Sequence, residues 1–348
     1  MRLKKNIYLV HTEYHLMLCL QIAHSYYSSE DFENCIHIDK IGERFKTIDI
    51  SNCTGNIKIY IHNDISKSDL VRKLVSQNCC RFFFCQENDI YNRYLAFKLK
   101  TIFKVTICLV QDGYKPYVIF QKRNEFLSII KDSFIDQKRL ILSNLLIFKF
   151  FKSDYYRYGS TDFLDEVWLT NVDMFNSELN KCNAKLISIP PFNQMSIKVI
   201  GKYFRFSDKI LNEKVGILFY LNQPFWTLEL VDREISFLKK LVENFGKPIY
   251  LKLHPATSLE SRRLYESINN MIIIDDKTPA EFYILEIKDS IIFSGWSSAL
   301  ITHNISCNYY FTLPIFRNCG AKSVDQSTLT IMPHIKLITE PKEMKFPK

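Results

Sequence analysis

The chain has 348 residues, of which 47% are hydrophobic and 24% charged, a balance typical of a soluble protein large enough for two domains. Its net charge of +9 suits acidic partners, but the excess is not gathered into a basic arm, so no nucleic-acid partner is expected. Its nine glycines form neither a Gly-x-Gly nor a Gly-Lys-Ser/Thr motif, which argues against a dehydrogenase and a P-loop ATPase.

Apolar runs alternate with helical patterns along the first half of the chain. Helices are predicted at 15–24 and around 95–99, between apolar runs short enough to be strands. We predict these strands at 7–10, 57–61, 81–85, 107–110 and 167–170, with 167–170 as the last one of this half. Such alternation is typical of a parallel sheet covered by helices on both faces.

A second series of the same kind follows a proline-containing segment at 189–193. It opens with a strand at 215–221 and a long amphipathic helix at 228–245, and its last apolar run is 309–311. We therefore predict an α/β fold of two Rossmann-like, doubly wound domains that face each other across a cleft, the GT-B arrangement. The predicted boundaries are 1–190 for the first domain, 191–210 for a link, and 211–348 for the second domain.

An acidic turn follows the predicted strand 107–110. Gln111, Asp112 and Gly113 come directly after this apolar run, and Gly113 permits a tight turn. The carboxylate of Asp112, at the tip of a strand, is well placed to act as a general base. An ordinary Asp-Gly turn is the alternative interpretation.

Two motifs in the second half predict an anion site. His254 ends a short apolar strand that Pro255 cannot continue. Further along, an apolar strand runs into a hydroxyl-rich turn and an expected helix, whose unpaired N–H groups and positive end suit a phosphate. We expect the two strands to be neighbours, so that their ends face one ligand. The turn residues expected at the anion are Ser294, Gly295, Ser297 and Ser298, with helix capping as the alternative role of the last two.

The three motifs together resemble those of bacterial sialyltransferases. That family carries an acidic-acidic-Gly motif, a His-Pro motif and a Ser-Ser/Thr motif, and here Gln111-Asp112-Gly113, His254-Pro255 and Ser297-Ser298 stand in the same order. Their order and spacing are similar to those of lipooligosaccharide, capsular and O-antigen sialyltransferases. Gln111 departs from the pattern, because it stands where the family has Asp or Glu, so Asp112 is the acid carried over.

The resemblance implies a reaction and a role for each motif. Sialic acid would pass from CMP-sialic acid, with inversion, to a hydroxyl of a terminal sugar on lipooligosaccharide, O-antigen or capsule. Asp112 would deprotonate this hydroxyl, while His254 and the Ser297-Ser298 turn would hold the departing CMP phosphate. Glu281 stands where the family binds the ribose of CMP, although a first-turn carboxylate of a helix is an equal alternative.

Residues after the first predicted strand are candidates for the acceptor side. Thr12, Glu13 and His15 lie in the first strand-to-helix turn, where together with Gly113 they would contact the acceptor or the sugar of the donor. A capping Thr12 followed by surface polar residues is the alternative. The acceptor that the resemblance implies is a galactose-type glycan carried on a lipid.

Neither a metal nor another cofactor is expected. The sequence has no Asp-x-Asp triplet, and its ten cysteines show no zinc-ligand spacing. Reduced cysteines and an N-terminal apolar run of only four residues predict a cytoplasmic protein. Basic and aromatic residues at 147–152 point to peripheral contact with the inner membrane. Three alternatives stay open: transfer of another CMP-activated keto-acid sugar such as Kdo, polymerisation of sialic acid, and binding of nucleotide or glycan without catalysis.

Overall fold

A computed structural model describes residues 3–39, 48–50, 53, 55–118, 125–145, 157–207, 211–223, 228–254, 256–316 and 331–347. The chain divides into two compact units, Met1–Arg205 and Phe206–Lys348. The division falls inside the predicted link 191–210. Within that link, residues 194–204 form a helix and a 3-10 turn that belong to the first unit.

The described part of the first unit is a seven-stranded parallel sheet in the order β3-β2-β1-β4-β5-β6-β7. Its strands are β1 (Lys4–Val10), β2 (Phe32–Asp39), β3 (Ile57–His62), β4 (Arg81–Phe84), β5 (Thr106–Val110), β6 (Glu166–Leu169) and β7 (Lys185–Ser188). Its helices are α1 (Glu13–Tyr26), α2 (Lys67–Val75), α3 (Ile90–Phe103), α4 (Glu125–Leu142), α5 (Ser177–Asn180) and α6 (Gln194–Gly201).

The order of the strands makes this unit doubly wound. The chain first adds strands on one side of β1 and then returns to add β4 on the other side, so the carboxyl ends of β1 and β4 border the point where the winding reverses. Ligands of open parallel sheets bind at such a point. Residues 7–10 in β1 are buried throughout, as expected for a strand covered by helices on both faces.

The second unit repeats the plan with six described strands in the order β10-β9-β8-β11-β12-β13. These strands are β8 (Leu218–Leu221), β9 (Ile249–Lys252), β10 (Met271–Ile274), β11 (Ile291–Ser294), β12 (Asn308–Phe311) and β13 (Ile335–Leu337). The helices are α7 (Leu228–Phe245), α8 (Leu259–Glu266), α9 (Ala280–Glu286) and α10 (Leu313–Phe316). The core joins one face of α7, with Leu238 and Leu241 fully buried, to Leu218 and Phe293 of the sheet.

Three predicted boundaries differ from the structure. Residues 167–170 are not the last strand of the first unit, because β7 follows; it is half exposed and lacks an apolar run. The strand predicted at 215–221 begins only at Leu218, since Gly216 has a φ of +64° and interrupts the extended chain. The apolar run at 309–311 is likewise followed by one more strand, β13.

The predicted fold class is confirmed, since each unit is a Rossmann-like α/β layer structure with an all-parallel sheet. Among the described residues, no helix combines the length and the apolar character that crossing a membrane requires.

Candidate functional site

Asp112 lies directly after β5, in the turn that the sequence predicted. Gly113 has a φ of +58°, a conformation in which a side chain would be strained, and the N–H of Lys115 donates to the carbonyl of Asp112 at 3.2 Å. Because β5 pairs with β4, this turn lies one strand away from the winding reversal of the first unit. The carboxylate therefore lies at the carboxyl ends of the strands, where ligands of such sheets are expected.

The carboxylate of Asp112 has two basic partners. Its Oδ1 lies 2.9 Å from Nε2 of buried His15, and its Oδ2 lies 3.3 Å from Nζ of Lys115. Burial raises the pKa of Asp112, but the hydrogen bond with His15 and the charges of His15 and Lys115 outweigh it and lower the pKa to about 2. The group is therefore an ionised, oriented acceptor for a proton at neutral pH.

The first helix begins at a side-chain cap that fixes His15. Thr12 precedes α1 in an extended conformation, and its hydroxyl accepts the N–H of His15 at 3.2 Å. The capping role that sequence left open for Thr12 is therefore present. Glu13, in the first turn of α1, is partly exposed, and its predicted contact with a sugar stays a prediction.

Gln111 stabilises the Asp112 turn through hydrogen bonds of its side chain. Its amide Nε2 donates to the hydroxyl of Tyr14 at 2.8 Å, while its Oε1 accepts from the Tyr117 hydroxyl at 2.8 Å and from the N–H of Thr170 at 2.9 Å. A buried amide can donate and accept in this way, whereas a carboxylate offers acceptors only. The residue that departs from the family pattern thus serves as a structural link between β5, α1 and the segment after β6.

A cavity of about 530 Å³ in the first unit opens beside Asp112. Its volume is within the range of small-molecule sites. Its lining includes three cations, and each forms an ion pair: Lys67 with Asp89, Lys115 with Asp112 and Arg139 with Asp136. The wall beside the base therefore offers cationic N–H donors whose charges are paired with acids.

In the second unit, His254 follows β9 and is held by its backbone and its ring. Its N–H donates to Oδ1 of Asn222 at 3.4 Å, and its Nδ1 accepts the N–H of Ala256 at 3.1 Å. A neutral imidazole that accepts at Nδ1 carries its proton on Nε2. His254 is therefore set as a hydrogen-bond donor through Nε2. Pro255, the other half of the motif, lies outside the described residues.

A buried polar network continues from Asn222 into the core. Asn222 Oδ1 also accepts from the Thr257 hydroxyl at 2.5 Å, and its Nδ2 donates to the Tyr265 hydroxyl at 2.9 Å. The hydroxyls of Tyr265 and Tyr220 in turn donate to the carboxyl of Glu234 on α7. Burial raises the pKa of Glu234 to about 7, although the hydrogen bonds from the two tyrosines and Asn222 oppose the shift.

The serine turn differs from its predicted form. Only a four-residue 3-10 segment, Ser298–Ile301, follows it, so the positive end of a full helix is absent and the predicted dipole contribution was wrong. Ser297 is the N-cap, and its Oγ accepts the N–H of Ala299 at 3.3 Å. The capping role left open for Ser297 is thus present, although its hydroxyl proton can still be donated.

The strands that carry the two donor motifs are not neighbours, which corrects the expectation from sequence. β8 lies between β9 and β11, so their ends are two strand spacings, about 10 Å, apart. Both ends are tied to the end of β8: Ser294 Oγ donates to the carbonyl of Leu221 at 2.7 Å, and His254 donates to Asn222. Ser294 also accepts the N–H of Ser297 at 3.1 Å, and its buried hydroxyl is thereby committed to the shape of the turn around Gly295.

Glu281 lies in the first turn of α9 and is buried. Burial raises its pKa to about 7, against the opposing effect of its own backbone hydrogen bond and of the charge of Lys252. The first-turn position that sequence offered as an alternative is thus observed. Contact with a ribose stays a prediction.

Three supporting residues belong to none of the motifs predicted from sequence. Lys115 belongs to no motif, and the local turn places it on Asp112, three residues before it in the chain. Asn222 carried a signal, because it is the first polar residue after the apolar strand β8. Glu234 also carried one, since it interrupts the apolar face of α7 formed by Leu230, Leu238 and their neighbours.

Known structures with the same architecture include a sialyltransferase and a UDP-GlcNAc 2-epimerase. The GT-B domain of a sialyltransferase from Photobacterium damselae, residues 113–497, matches with a TM-score of 0.54 at 14% identity, over 89% of this chain and 91% of that one. The UDP-GlcNAc 2-epimerase of Methanocaldococcus jannaschii, solved with UDP-GlcNAc and UDP, matches with a TM-score of 0.54 at 10% identity, over 98% and 90%. At such identities the likeness shows the fold alone, a GT-B-type pair of Rossmann-like units.

The amino-acid sequence matches a family model and so identifies the family of this chain. The chain belongs to the alpha-2,8-polysialyltransferase (POLYST) family, whose model matches residues 2–309. The matched range includes Asp112, His254 and the Ser297-Ser298 turn. A search of curated proteins finds no match. The predicted resemblance to sialyltransferases is confirmed.

Proposed function

We propose that the chain is an inverting sialyltransferase that moves sialic acid from CMP-sialic acid to a sugar hydroxyl on a bacterial surface glycan. The observation that carries this proposal is the His15–Asp112–Lys115 group, an ionised carboxylate held by two bases beside a cavity in a chain of the POLYST family. The family supports sialyl transfer, while the donor nucleotide, the inversion and the acceptor belong to the proposal.

Transfer would be a single displacement, and one half of it is the attack by the acceptor. Asp112 would accept the proton of the attacking hydroxyl, because its carboxylate is ionised at neutral pH and oriented by His15. With a pKa of about 2 it is a weak base, so we place proton transfer late, when the bond to the anomeric carbon is largely formed and the hydroxyl has become acidic. His15 acts here as a positioning residue.

The other half of the same displacement is the departure of CMP. As the bond between the anomeric carbon and the phosphate breaks, negative charge grows on the phosphate oxygen. His254 would donate from Nε2 to this oxygen, since its Nδ1 is engaged by Ala256. The hydroxyl of Ser298 and the remaining proton of Ser297 would be further donors, and Glu281 would contact the ribose. These donors take the place of a metal in the proposal, so activity should persist in excess EDTA.

The cavity beside Asp112 favours a second acceptor besides the galactose-type, lipid-linked one. Lys67, Lys115 and Arg139 line it, and their N–H groups can bind a carboxylate in exchange for part of their contact with neighbouring acids. A terminal sialic acid carries a carboxylate, which a neutral galactose lacks, and the cations would attract it. Polymerisation of sialic acid is therefore the second candidate function.

One experiment separates these possibilities. The purified chain is incubated with CMP-sialic acid or CMP-Kdo, and with galactose-terminated or sialic-acid-terminated acceptors, with and without EDTA. Release of CMP and the mass and linkage of the product are measured. We expect product from CMP-sialic acid with one of the two acceptors. Product from CMP-Kdo alone would show that the donor is CMP-Kdo and not CMP-sialic acid. Affinity for CMP without turnover of any donor and acceptor pair would favour a non-catalytic binding protein.

A further inference from the structure

The turn that carries His254 is attached to one side-chain oxygen of a neighbouring strand end. Oδ1 of Asn222 accepts the N–H of His254 at 3.4 Å and the hydroxyl of Thr257 at 2.5 Å. Within the turn, the N–H of Thr257 donates to the carbonyl of His254 at 2.9 Å, and the N–H of Ala256 donates to Nδ1 of the ring at 3.1 Å. Asn222 thus anchors both ends of the turn that fixes the backbone and the ring of His254.

The amide of Asn222 is itself held in one orientation. Asn222 directly follows β8 and is only 3% exposed, and its backbone N–H donates to the carbonyl of Lys252 at 3.1 Å. Its Nδ2 donates to the hydroxyl of Tyr265 at 2.9 Å and to the carbonyl of Gln223 at 3.1 Å. Because an amide donates from nitrogen and accepts on oxygen, these two acceptors direct Oδ1 towards the His254 turn.

The hydroxyl of Tyr265 can accept from Asn222 because its own proton is donated elsewhere. It donates to the carboxyl of Glu234, which also accepts from the hydroxyl of Tyr220. The hydrogen bonds therefore run in one direction, from the His254 turn through Asn222 and Tyr265 to Glu234. In such a chain each hydrogen bond polarises and strengthens the next one.

We infer that Asn222 and Tyr265 are positioning residues for His254. This role rests on the proposed function, in which Nε2 of His254 donates to the departing phosphate. A donor of this kind is effective when its geometry is fixed before the reaction, and a displacement of about 1 Å can lower a rate by a factor of about 100. Asn222 fixes the turn and Tyr265 fixes the amide of Asn222, and both act on the reaction through His254.

A purely structural role for Asn222 leads to a different expectation. The His254 turn continues directly into α8, whose N-cap is Ser258, so the same hydrogen bonds also attach this helix to the end of β8. If they served only that attachment, their loss would lower the melting temperature and leave the ring of His254 and kcat unchanged. The ring itself is therefore the group to measure.

The first measurement is the position of the proton on the neutral ring of His254, by nitrogen NMR of the full chain with ring-labelled histidine. The signal of His254 is the one missing from His254→Ala. In wild type the proton should be on Nε2, because Nδ1 accepts from Ala256. Asn222→Ala and Thr257→Val should each give a mixture of the two neutral tautomers. Thr257→Ser, which keeps the hydroxyl, should restore the single tautomer.

The second measurement is the kinetics of transfer from CMP-sialic acid. In Asn222→Ala and Thr257→Val, kcat should fall by about tenfold or more while KM stays within about threefold of wild type, because the contact with the phosphate oxygen strengthens as CMP departs. Thr257 is partly exposed and Val has the same shape, so this variant tests the inference even if Asn222→Ala does not fold.

Two tyrosines provide the matched control. Tyr220 and Tyr265 are both buried and both donate to Glu234, whereas the hydrogen bond to Asn222 is formed by Tyr265. Tyr265→Phe should lower kcat by about threefold or more, less than Asn222→Ala because the carbonyl of Gln223 still accepts from the amide. Tyr220→Phe should keep kcat within about twofold of wild type. Circular dichroism verifies that each variant is folded.

The results separate this inference from the proposed function. Absence of turnover in wild type would contradict the proposed function, whereas the tautomer of His254 is measured without any substrate and tests the positioning by itself. A single Nε2 tautomer in folded Asn222→Ala and Thr257→Val would overturn the inference. Equal values of kcat for Tyr220→Phe and Tyr265→Phe would likewise remove the role of Tyr265.

Discussion

Nε2 of His15 lies 2.9 Å from Oδ1 of Asp112, although the two residues are 97 positions apart in the chain. The pairing joins the first turn of α1 to the turn after β5 and gives the carboxylate a fixed direction. Its strength is reflected in the low pKa of Asp112. The proposed base and the residue that positions it therefore form one group, and a substitution of each should have a different measurable effect.

Asp112→Asn tests the base itself. Asn keeps the shape of the side chain and suits the turn before Gly113, but it cannot accept the proton, so we expect transfer to fall by a factor of about a hundred to ten thousand. Affinity for CMP, measured by calorimetry, should stay near wild type, and the melting temperature should fall only modestly, because Asn keeps a hydrogen bond with His15 but loses the charge. Turnover within a few-fold of wild type would assign the base elsewhere, with Glu13 as the next candidate.

His15→Ala tests the positioning of the base. Without the hydrogen bond and charge of His15, the pKa of Asp112 should rise from about 2 towards an ordinary aspartate value. The acidic limb of the kcat/KM profile should therefore move to higher pH, and kcat should fall by about tenfold or more. His15→Gln, which keeps a donor, should recover part of kcat. A profile identical to that of wild type would leave His15 only a structural role.

His254→Ala tests the support of the leaving group. Loss of one preorganised donor to the phosphate should lower turnover by about a hundredfold or more. Release of CMP from CMP-sialic acid is the measurement, and circular dichroism confirms folding. A folded variant with unchanged turnover would contradict the assignment of the Nε2 donor.

The serine turn contains two kinds of serine, and substitution should separate them. Ser297→Ala with Ser298→Ala should weaken CMP binding by about five- to tenfold, as expected for lost hydrogen bonds. Ser294→Ala should mainly lower the melting temperature, since its buried hydroxyl bonds Leu221. Unchanged CMP affinity in the double variant would reduce Ser297 and Ser298 to capping.

Glu234→Gln should alter the dependence of stability on pH. The pKa of Glu234 is about 7 in the folded chain and about 4.3 in an unfolded one, so the contribution of this group is fully present below about 4.3 and is lost as the pH rises to about 7. Between these two pH values the free energy of unfolding of wild type should fall by roughly 3 kcal/mol because of this group, and the variant should not show this fall.

Denaturant unfolding at several pH values measures this difference. The matched control is Glu281→Gln, because Glu281 is also a buried glutamate with a pKa of about 7. Each variant should remove only the part of the pH dependence of the free energy of unfolding that its own glutamate causes. Parallel stability curves for wild type and Glu234→Gln would show that Glu234 is ionised at all these pH values.

Local sequence patterns determined the elements and the places of the motifs. Buried strands of a parallel sheet are continuous apolar runs, so β1, β4 and β5 could be read directly. The amphipathic period similarly predicted 228–245, the bounds of α7. Polar residues after apolar runs then marked Asp112 and His254, because a strand's neighbours in sequence define its end.

Weakly apolar strands escaped these patterns. Asn34 and His37 interrupt β2, and β7 is half exposed, so neither has the continuous run that identifies a buried strand. Their place in the sheet follows from pairing with neighbouring strands, which compensates for the missing local signal.

Only the tertiary structure decided which residues meet. Sequence placed His254 and the serine turn on adjacent strands, but the winding of the second unit puts β8 between them and gives Asn222 contact with His254. In the same way the crossover through α1 brings His15 to Asp112, and α7 turns Glu234 towards Tyr220 and Tyr265. The period of hydrophobic residues indicates which face of an element is buried. Strand order depends instead on how elements far apart in the chain pack together, so no local pattern contains it.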